Sequence, residues 1–198
     1  MTWRDRILHD GIDREGWLVA RHPVIGASDA SGLAKATSVD KYLLAKLTDR
    51  HFSGNSYTAS GHRWEPMMLA YAGITENKAL IHAPDNRGFA ATPDGADETR
   101  GAECKAKHNK VVFGPSLGEW RQVAWQFLCV PEFEEIEWLW VELINDEMRA
   151  DHHGEPKHLT IRRNDNKVND LITQMLPIAT DLLAQLTAAL AFEKEMQS

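Results

Sequence analysis

The stretch Ala91-Thr92-Pro93-Asp94-Gly95, followed by Gly101-Ala102-Glu103-Cys104-Lys105, decides how this sequence is interpreted. The first segment ends in turn-forming residues, which predict a sharp break after a short strand. The second segment predicts the next strand, in which residues two apart point to the same face. Glu103 and Lys105 therefore project together, and Cys104 points to the opposite face, into the core.

The two segments bring carboxylates together if they form a hairpin. Asp94 then approaches Glu103, and two carboxylates aimed at one point repel each other unless a cation lies between them. Oxygen ligands without imidazole or thiolate suit a hard ion such as Mg²⁺ or Mn²⁺. Lys105 beside such an ion can orient a water molecule or stabilise charge on a phosphate. The same pattern fits a solvated hairpin edge, so spacing alone leaves both interpretations open.

Composition and charge restrict the class of protein. The chain has 198 residues, 43% of them hydrophobic and 26% charged, which is typical of one folded domain with its own core. Its net charge of −7 argues against a protein that coats nucleic acid electrostatically. The charge is uneven, because residues 1–110 carry 15 basic and 14 acidic side chains whereas residues 111–198 carry 7 and 15. The half that contains the carboxylate pair is therefore close to neutral.

Several other classes have no support in the sequence. Its two cysteines form no CxxC pair, which argues against a zinc ribbon or an iron–sulfur cluster. The charged first ten residues do not resemble a signal peptide, and we expect a cytoplasmic protein without a membrane span. Walker and G-x-G-x-x-G motifs are absent from the sequence, so a P-loop ATPase and a Rossmann fold have no support. The nine histidines are scattered, and we expect the pair His152-His153 to be solvated.

Hydrophobic periodicity predicts helices first, then short strands, a helix, a strand pair and a final helix. The predicted helices are 7–18, 28–36 (capped by Ser28), 37–47, 60–71 (capped by Ser60), 119–130 and 168–192. The predicted strands are 79–82, 88–92, 101–105, 136–143 and 159–163. This order predicts an α/β (α+β) fold with a central mixed β-sheet flanked by helices. We expect one domain over residues 1–198, with a motif-bearing core at about 21–163 and a C-terminal helix at about 167–196.

Further motifs lie in order around the carboxylate pair. They are Arg21 with Ser28 in Arg-His-Pro-Val-Ile-Gly-Ala-Ser, Gly61-His-Arg-Trp-Glu65, and the predicted helix Trp120-Arg-Gln-Val-Ala-Trp-Gln126. Asp94 followed by Glu103-x-Lys105 is similar to the core of the PD-(D/E)xK nuclease superfamily. The whole set, from residue 21 to about 130, resembles the phage lambda exonuclease and YqaJ-like viral recombinase family.

The resemblance implies a restriction-endonuclease-like core with one or two metal ions, Mg²⁺ or Mn²⁺. Asp94, Glu103 and the main-chain carbonyl of Cys104 would bind metal, and Glu65 would bind a second ion or a metal-bound water. Lys105 would activate or position the attacking water.

The resemblance also implies a site for DNA. Arg21 and Ser28 would hold a terminal 5′ phosphate, and an arginine fork beside a hydroxyl at a helix N-terminus is a chemically reasonable anion site. Lys107, in a basic stripe with Lys105 and Lys110, would contact the phosphate backbone, although a solvated strand end fits the stripe equally well.

The late helix departs from the family pattern. Family members often carry Gln-Val-Gln, whereas this chain has Gln122-Val123-Ala124. Gln122 and Gln126 are four residues apart and share one helix face, so either can supply the amide that the family uses.

The function implied is a Mg²⁺-dependent exonuclease that degrades linear double-stranded DNA from 5′ to 3′ and leaves 3′ single-stranded tails for phage-type recombination. The implied partners are duplex DNA ends, a single-strand-annealing protein and further copies of the chain in a ring, a trimer being one such size. The implied location is the cytoplasm of a bacterial host. Two alternatives stay open: a structure- or site-specific endonuclease on the same core, and a catalytically inactive module that binds DNA ends.

Overall fold

The computed structural model describes residues 2–48 and 56–197, and of residues 56–60 and 197 it describes the backbone alone. The helices are α1 (Arg14–Arg21), α2 (Ala27–Ala30), α3 (Val39–Thr48), α4 (Ser56–Ala72), α5 (Leu117–Cys129) and α6 (Asn166–Gln197). The strands are β1 (Ile7–His9), β2 (Leu80–Ala83), β3 (Asn86–Ala91), β4 (Gly95–Ala96), β5 (Arg100–His108), β6 (Glu135–Ile144), β7 (Glu147–Met148) and β8 (Lys157–Arg162). Short 3₁₀ helices cover Trp3–Arg6, Ala36–Ser38 and Ala150–His152.

The strands form two sheets. β1, β2 and β3 make an antiparallel sheet, and β4 to β8 make a larger one. Within the larger sheet β5 runs parallel to β6 over nine residue pairs, and the other pairings are antiparallel. The predicted α/β class, with a mixed sheet flanked by helices, is therefore confirmed, although part of the strand content lies in the smaller sheet.

α5 is the crossover that the parallel pairing of β5 and β6 requires. It begins after Ser116, whose main-chain N–H donates to Glu119 Oε2 at 2.8 Å while the Glu119 N–H donates back to Ser116 Oγ at 3.4 Å. It ends at Cys129, two residues before Pro131, because proline cannot continue a helix. The crossover places α5 against one face of β5.

The two faces of β6 pack into two different hydrophobic clusters. Ile136 and Trp138 belong to the main core, which also contains residues of α5 and α6. Leu139 and Val141 belong to a second cluster with α4, and Cys104 packs beside it. The predictions of a doubly buried strand at 136–143 and an inward-facing Cys104 are both confirmed.

α6 packs through a stripe at helical spacing. The buried residues of the stripe are Val168, Leu171, Met175, Ala179, Leu182 and Leu186, and the helix contacts α3 and α5. The helix over Asn166–Met196 contains an 18-residue stretch with a mean hydropathy of 1.5, so it is long and apolar enough to cross a membrane by length and composition alone. A helix of a protein core passes the same test, and the packed stripe fits that explanation.

The helix predicted over residues 7–18 is wrong in its first half. Residues 7–9 form β1, because Ile7 pairs with Ile81 of β2. The helix begins later, at Arg14, since the carboxylate of Asp13 accepts the main-chain N–H groups of Glu15 and Gly16.

Two predicted helix caps are also wrong. Gly26, rather than Ser28, is the N-cap of α2, and the helix ends at Ala30 instead of residue 36. α4 begins at Ser56 instead of after Ser60.

Candidate active site

β5 places Glu103 and Lys105 on the face that α5 covers. Glu103 is only 1% exposed. The Lys105 ammonium donates to Glu103 Oε1, and it also donates to Gln122 Oε1 at 3.2 Å. Burial alone would lower the pKa of Lys105, but the carboxylates of Glu103 and Asp94 outweigh burial and raise it. Lys105 is therefore a cation at neutral pH.

Both glutamines of α5 reach the same carboxylate. Gln122 Nε2 donates to Glu103 Oε1 at 2.5 Å, and Gln126 Nε2 donates to Glu103 Oε2. Their separation of four residues puts both amides on the helix face toward β5. The two residues between which the sequence could not choose thus hold one carboxylate together.

Asp94 approaches the same site from the turn before β4. Its Oδ2 accepts the main-chain N–H of Cys104 at 2.7 Å. The pairing of Gly95 with Ala102 in β4 and β5 fixes this approach. Burial raises the pKa of Asp94 well above its ordinary value, the negative charge of Glu103 raises it further, and Lys105 opposes both. The hairpin expected from the two sequence segments is therefore present, and it brings the charges of Asp94 and Glu103 close enough to interact.

Glu65 faces the site from α4. Its Oε2 lies 3.7 Å from His62 Nδ1. Burial raises the pKa of Glu65, and the charges of Glu76 and Glu103 add to this effect. The site therefore contains three carboxylates, Glu65, Asp94 and Glu103, whose charges oppose one another.

The chemistry of these donors fits a hard cation. The carboxylates of Asp94 and Glu103 supply oxygen, and Gln126 Oε1 is a buried acceptor without a hydrogen-bond partner among the described residues. The carbonyl of Cys104 leaves β5 on the same edge as its N–H, which faces Asp94, because the two groups of one strand residue point the same way. No three His, Cys, Asp or Glu side chains in residues 2–48 and 56–197 converge tightly enough to hold a metal by themselves. The residues that would bind a cation are therefore the Asp94–Glu103 pair and this main-chain oxygen, and Glu65 is a further carboxylate beside them in the cleft.

A cleft with two adjoining lobes of about 520 Å³ each opens beside Asp94. One lobe contains Glu65 and His62, and the other contains Arg21, Ser28 and Gln122. The residues shared by both lobes are Arg14, Trp17, Thr92 and Asp94. The cleft thus connects the carboxylates with the residues predicted to bind a terminal phosphate.

Arg21 and Ser28 lie together at one end of the cleft. Arg21 Nη2 donates to Ser28 Oγ, and the Arg21 guanidinium lies 5.2 Å from the ring centroid of Trp17. The sequence predicts that a helix N-terminus helps Arg21 and Ser28 to bind an anion. However, α2 has only four residues and Ser28 lies inside it, so the helix dipole contributes little to anion binding here. The guanidinium and the hydroxyl are the groups that can bind an anion.

Lys107 is not part of the cleft. It is 8% exposed, its ammonium donates to Glu119 Oε1, and burial lowers its pKa against the pull of Glu119. The structure therefore places this lysine in an ion pair with Glu119 of α5 instead of in the cleft with Arg21 and Ser28, where a contact with DNA was predicted.

Arg14 and Trp17 line both lobes of the cleft, but they are not among the site residues predicted from the sequence. The signal was present in the spacing of Arg14, Trp17 and Arg21, which puts all three on one face of α1. The helix predicted over residues 7–18 does not show this face, because it ends before Arg21.

No protein-family model and no curated protein sequence matches the chain. Solved structures do match it. An alkaline exonuclease (LHK-Exo) from Laribacter hongkongensis superposes with a TM-score of 0.68 at 21% identity, over 92% of this chain and 99% of that one. The chain has the fold of this exonuclease.

Two further solved structures are similar to this chain. LHK-Exo in complex with dAMP matches with a TM-score of 0.66 at 19% identity, over 92% of this chain and 99% of that chain. A phage-related exonuclease from Haemophilus somnus 129PT matches with a TM-score of 0.60 at 14% identity, over 84% of this chain and 96% of the other. At these identities the likeness establishes the fold, and the activity has to be argued from the site.

Proposed function

We propose that this protein is a Mg²⁺-dependent DNA exonuclease of the phage lambda exonuclease and YqaJ-like type. The observation that carries the proposal is the convergence of Lys105, Gln122 and Gln126 on Glu103, next to Asp94. Any buried carboxylate needs hydrogen-bond donors, but here the donors surround Glu103 next to a second buried carboxylate, Asp94, which lines the cleft. The exonuclease fold of the matched structures supports the same conclusion.

Asp94, Glu103 and the Cys104 carbonyl would hold the Mg²⁺, with Glu65 as a ligand of a second ion or of a water. Bound there, Mg²⁺ supplies Lewis acidity and stabilises charge on phosphate oxygens. Mn²⁺ has the same preference for oxygen ligands and is expected to replace it.

The chain's own residues bind and orient the scissile strand. Lys105 has three N–H donors, and in the described part of the chain Glu103 and Gln122 take two of them. The third can donate to the attacking water or to a phosphate oxygen, which positions the water and stabilises the negative charge that develops during attack. Gln122 and Gln126 keep the Glu103 carboxylate oriented.

Arg21 and Ser28 would receive the 5′ phosphate of the strand being degraded. A site for a terminal phosphate next to the catalytic carboxylates favours cutting from a 5′ end and moving toward the 3′ end. The products would be 3′ single-stranded tails, which a single-strand-annealing protein in the bacterial cytoplasm would use for recombination. A ring-shaped homo-oligomer, such as a trimer, would keep the enzyme on its DNA.

The test uses the purified chain with Mg²⁺ and two substrates, linear duplex DNA and closed circular DNA. We expect nucleotides to be released from the linear duplex, with 5′ labels lost before internal ones, and the circle to stay intact. Lys105→Ala should reduce the rate by at least about 100-fold. Lys35→Ala, at an exposed lysine, serves as the matched control.

Other outcomes identify the alternatives. Cutting of the circle would indicate an endonuclease on the same core. Binding of DNA ends without any Mg²⁺-dependent cleavage would indicate an inactive end-binding module. Early loss of 3′ labels would overturn the proposed direction.

A further inference from the structure

A largely buried ion pair joins Asp29, the residue after Ser28 in α2, to Lys46 of α3. The ammonium of Lys46, on α3, lies 2.8 Å from Asp29 Oδ2 and donates to the carbonyl of Val24 at 2.8 Å. Lys46 is 9% exposed. Removing two charges from water costs free energy that their attraction only partly offsets, so such a pair is a weak source of stability. Its position next to a proposed anion site suggests another role.

Asp29 and Arg21 are near neighbours. A Cβ atom placed on Gly26 would lie 3.4 Å from Asp29 Oδ2 and 3.6 Å from Arg21 Nε, so these two atoms are within 7 Å of each other. A carboxylate at that distance attracts the guanidinium and repels a phosphate that binds it. Without compensation, Asp29 would therefore compete with the substrate for Arg21.

The structure shows how this competition is avoided. Asp29 Oδ2 contacts Lys46 and accepts the main-chain N–H of Gly26 at 2.8 Å. Arg21 is directed elsewhere, toward Ser28 Oγ and the face of Trp17. The charge of Asp29 is thus compensated by Lys46 of α3 rather than by Arg21.

We propose that Lys46 is a positioning residue that sets the preference for 5′-phosphorylated DNA ends, by holding Asp29 away from Arg21. This inference rests on the proposed exonuclease function and on the role of Arg21 and Ser28 in it. In a Lys46→Met variant, Asp29 loses its cation, and the Arg21 guanidinium becomes its nearest partner. A 5′ phosphate must then displace a carboxylate before it can bind.

The experiment compares kcat/KM on two linear duplexes that differ only in a 5′ phosphate or a 5′ hydroxyl. The wild type should prefer the phosphate. Lys46→Met should reduce that preference at least about tenfold, mainly through KM for the phosphorylated duplex, because a charge-assisted contact is lost. Lys35→Met removes an exposed lysine and should leave the preference unchanged.

The decisive comparison removes the negative charge of Asp29. Asp29→Asn keeps an oxygen for the Gly26 N–H, so it should retain the preference by itself and restore it in the Lys46→Met background. A merely structural role of Lys46 predicts no such rescue. If Lys46→Met does not fold, Lys46→Gln replaces it, since glutamine still donates to the Val24 carbonyl.

The outcomes distinguish a failure of the proposed function from a failure of the role proposed for Lys46. A wild type without nuclease activity contradicts the proposed function, and one without a phosphate preference contradicts the role of Arg21 and Ser28. A wild type that prefers the phosphate, with a folded Lys46 variant that keeps the preference, overturns the inference alone. Loss of the preference in Asp29→Asn alone would also overturn it, because the Asp29 charge would then assist binding.

Discussion

Gln126 of α5 donates its side-chain amide to the carboxylate of Glu103 on β5, across 23 residues of sequence. Both side chains are almost completely buried, at 0% and 1% exposure. The contact fixes the orientation of the carboxylate that would bind Mg²⁺. It also leaves the other amide atom, Gln126 Oε1, without a hydrogen-bond partner in the described residues.

Replacement of Gln126 by leucine should affect catalysis. The size of the side chain is nearly conserved, but Glu103 loses the donor that orients it, and loss of such a supporting contact typically costs about 10–100-fold in activity. We expect nuclease kcat to fall by that factor in Gln126→Leu. Gln174→Leu, at an exposed position on α6, is the control. Equal rates for the two variants would show that Gln126 has only a packing role.

Asp94→Asn should stabilise the protein while abolishing activity. Burial and Glu103 raise the pKa of Asp94, so its ionised form destabilises the folded state, and this cost appears as pH rises above the ordinary pKa of an aspartate. Asparagine keeps an acceptor for the Cys104 N–H without the charge. We expect a melting temperature higher by about 2–4 °C at pH 7 in the presence of a chelator, about 1 kcal/mol for a chain of this size. The gap should close toward pH 4, and a lower melting temperature for the variant at pH 7 would contradict the argument.

Mg²⁺ should stabilise the wild type through the carboxylate pair. A ligand that binds only the folded chain raises the melting temperature as its concentration exceeds the Kd. We expect millimolar Mg²⁺ to shift the transition of the wild type but not that of Glu103→Gln. Glu155→Gln, at an exposed carboxylate, should shift like the wild type. An identical shift in all three proteins would place the ion elsewhere.

The sequence predicted the side-chain positions in the site that follow from spacing within one strand or one helix. The alternation in β5 placed Glu103 and Lys105 on one face, and the spacing of Gln122 and Gln126 placed both on one helix face. These relationships follow from the periods of strands and helices. The mixed sheet followed from the order of the elements.

The features that the sequence did not predict depend on contacts between residues far apart in the chain. The strand character of residues 7–9 arises from pairing with β2, more than 70 residues away. Lys107 forms an ion pair with Glu119, and only the fold brings these two side chains together. His152, expected to be solvated, is 6% exposed beside Glu142. Periodicity carries no information about contacts of this kind.

The buried Glu142 is expected to give the protein a distinct acid dependence. Glu142 Oε1 accepts the main-chain N–H of Val112 at 2.8 Å and the ammonium of Lys157 at 3.1 Å. Burial alone would raise the pKa of Glu142, but these donors outweigh it and lower the pKa to about 2. Because the folded pKa lies below the unfolded one, the ionised form stabilises the fold. This stability is present above about pH 4.5 and is lost as pH falls toward 2.

Glu142→Gln tests this dependence. Lys157 is 37% exposed and can be solvated without its partner, so we expect the free energy of unfolding at pH 7 to fall by about 1.5–3 kcal/mol, as for the loss of one hydrogen bond to a charged group. The gap to the wild type should then narrow between pH 4.5 and 2 in urea titrations at each pH. Glu134→Gln, at an exposed carboxylate, should follow the wild type throughout. A constant gap across that window would mean that the Glu142 charge does not stabilise the fold and that the loss at pH 7 reflects altered packing.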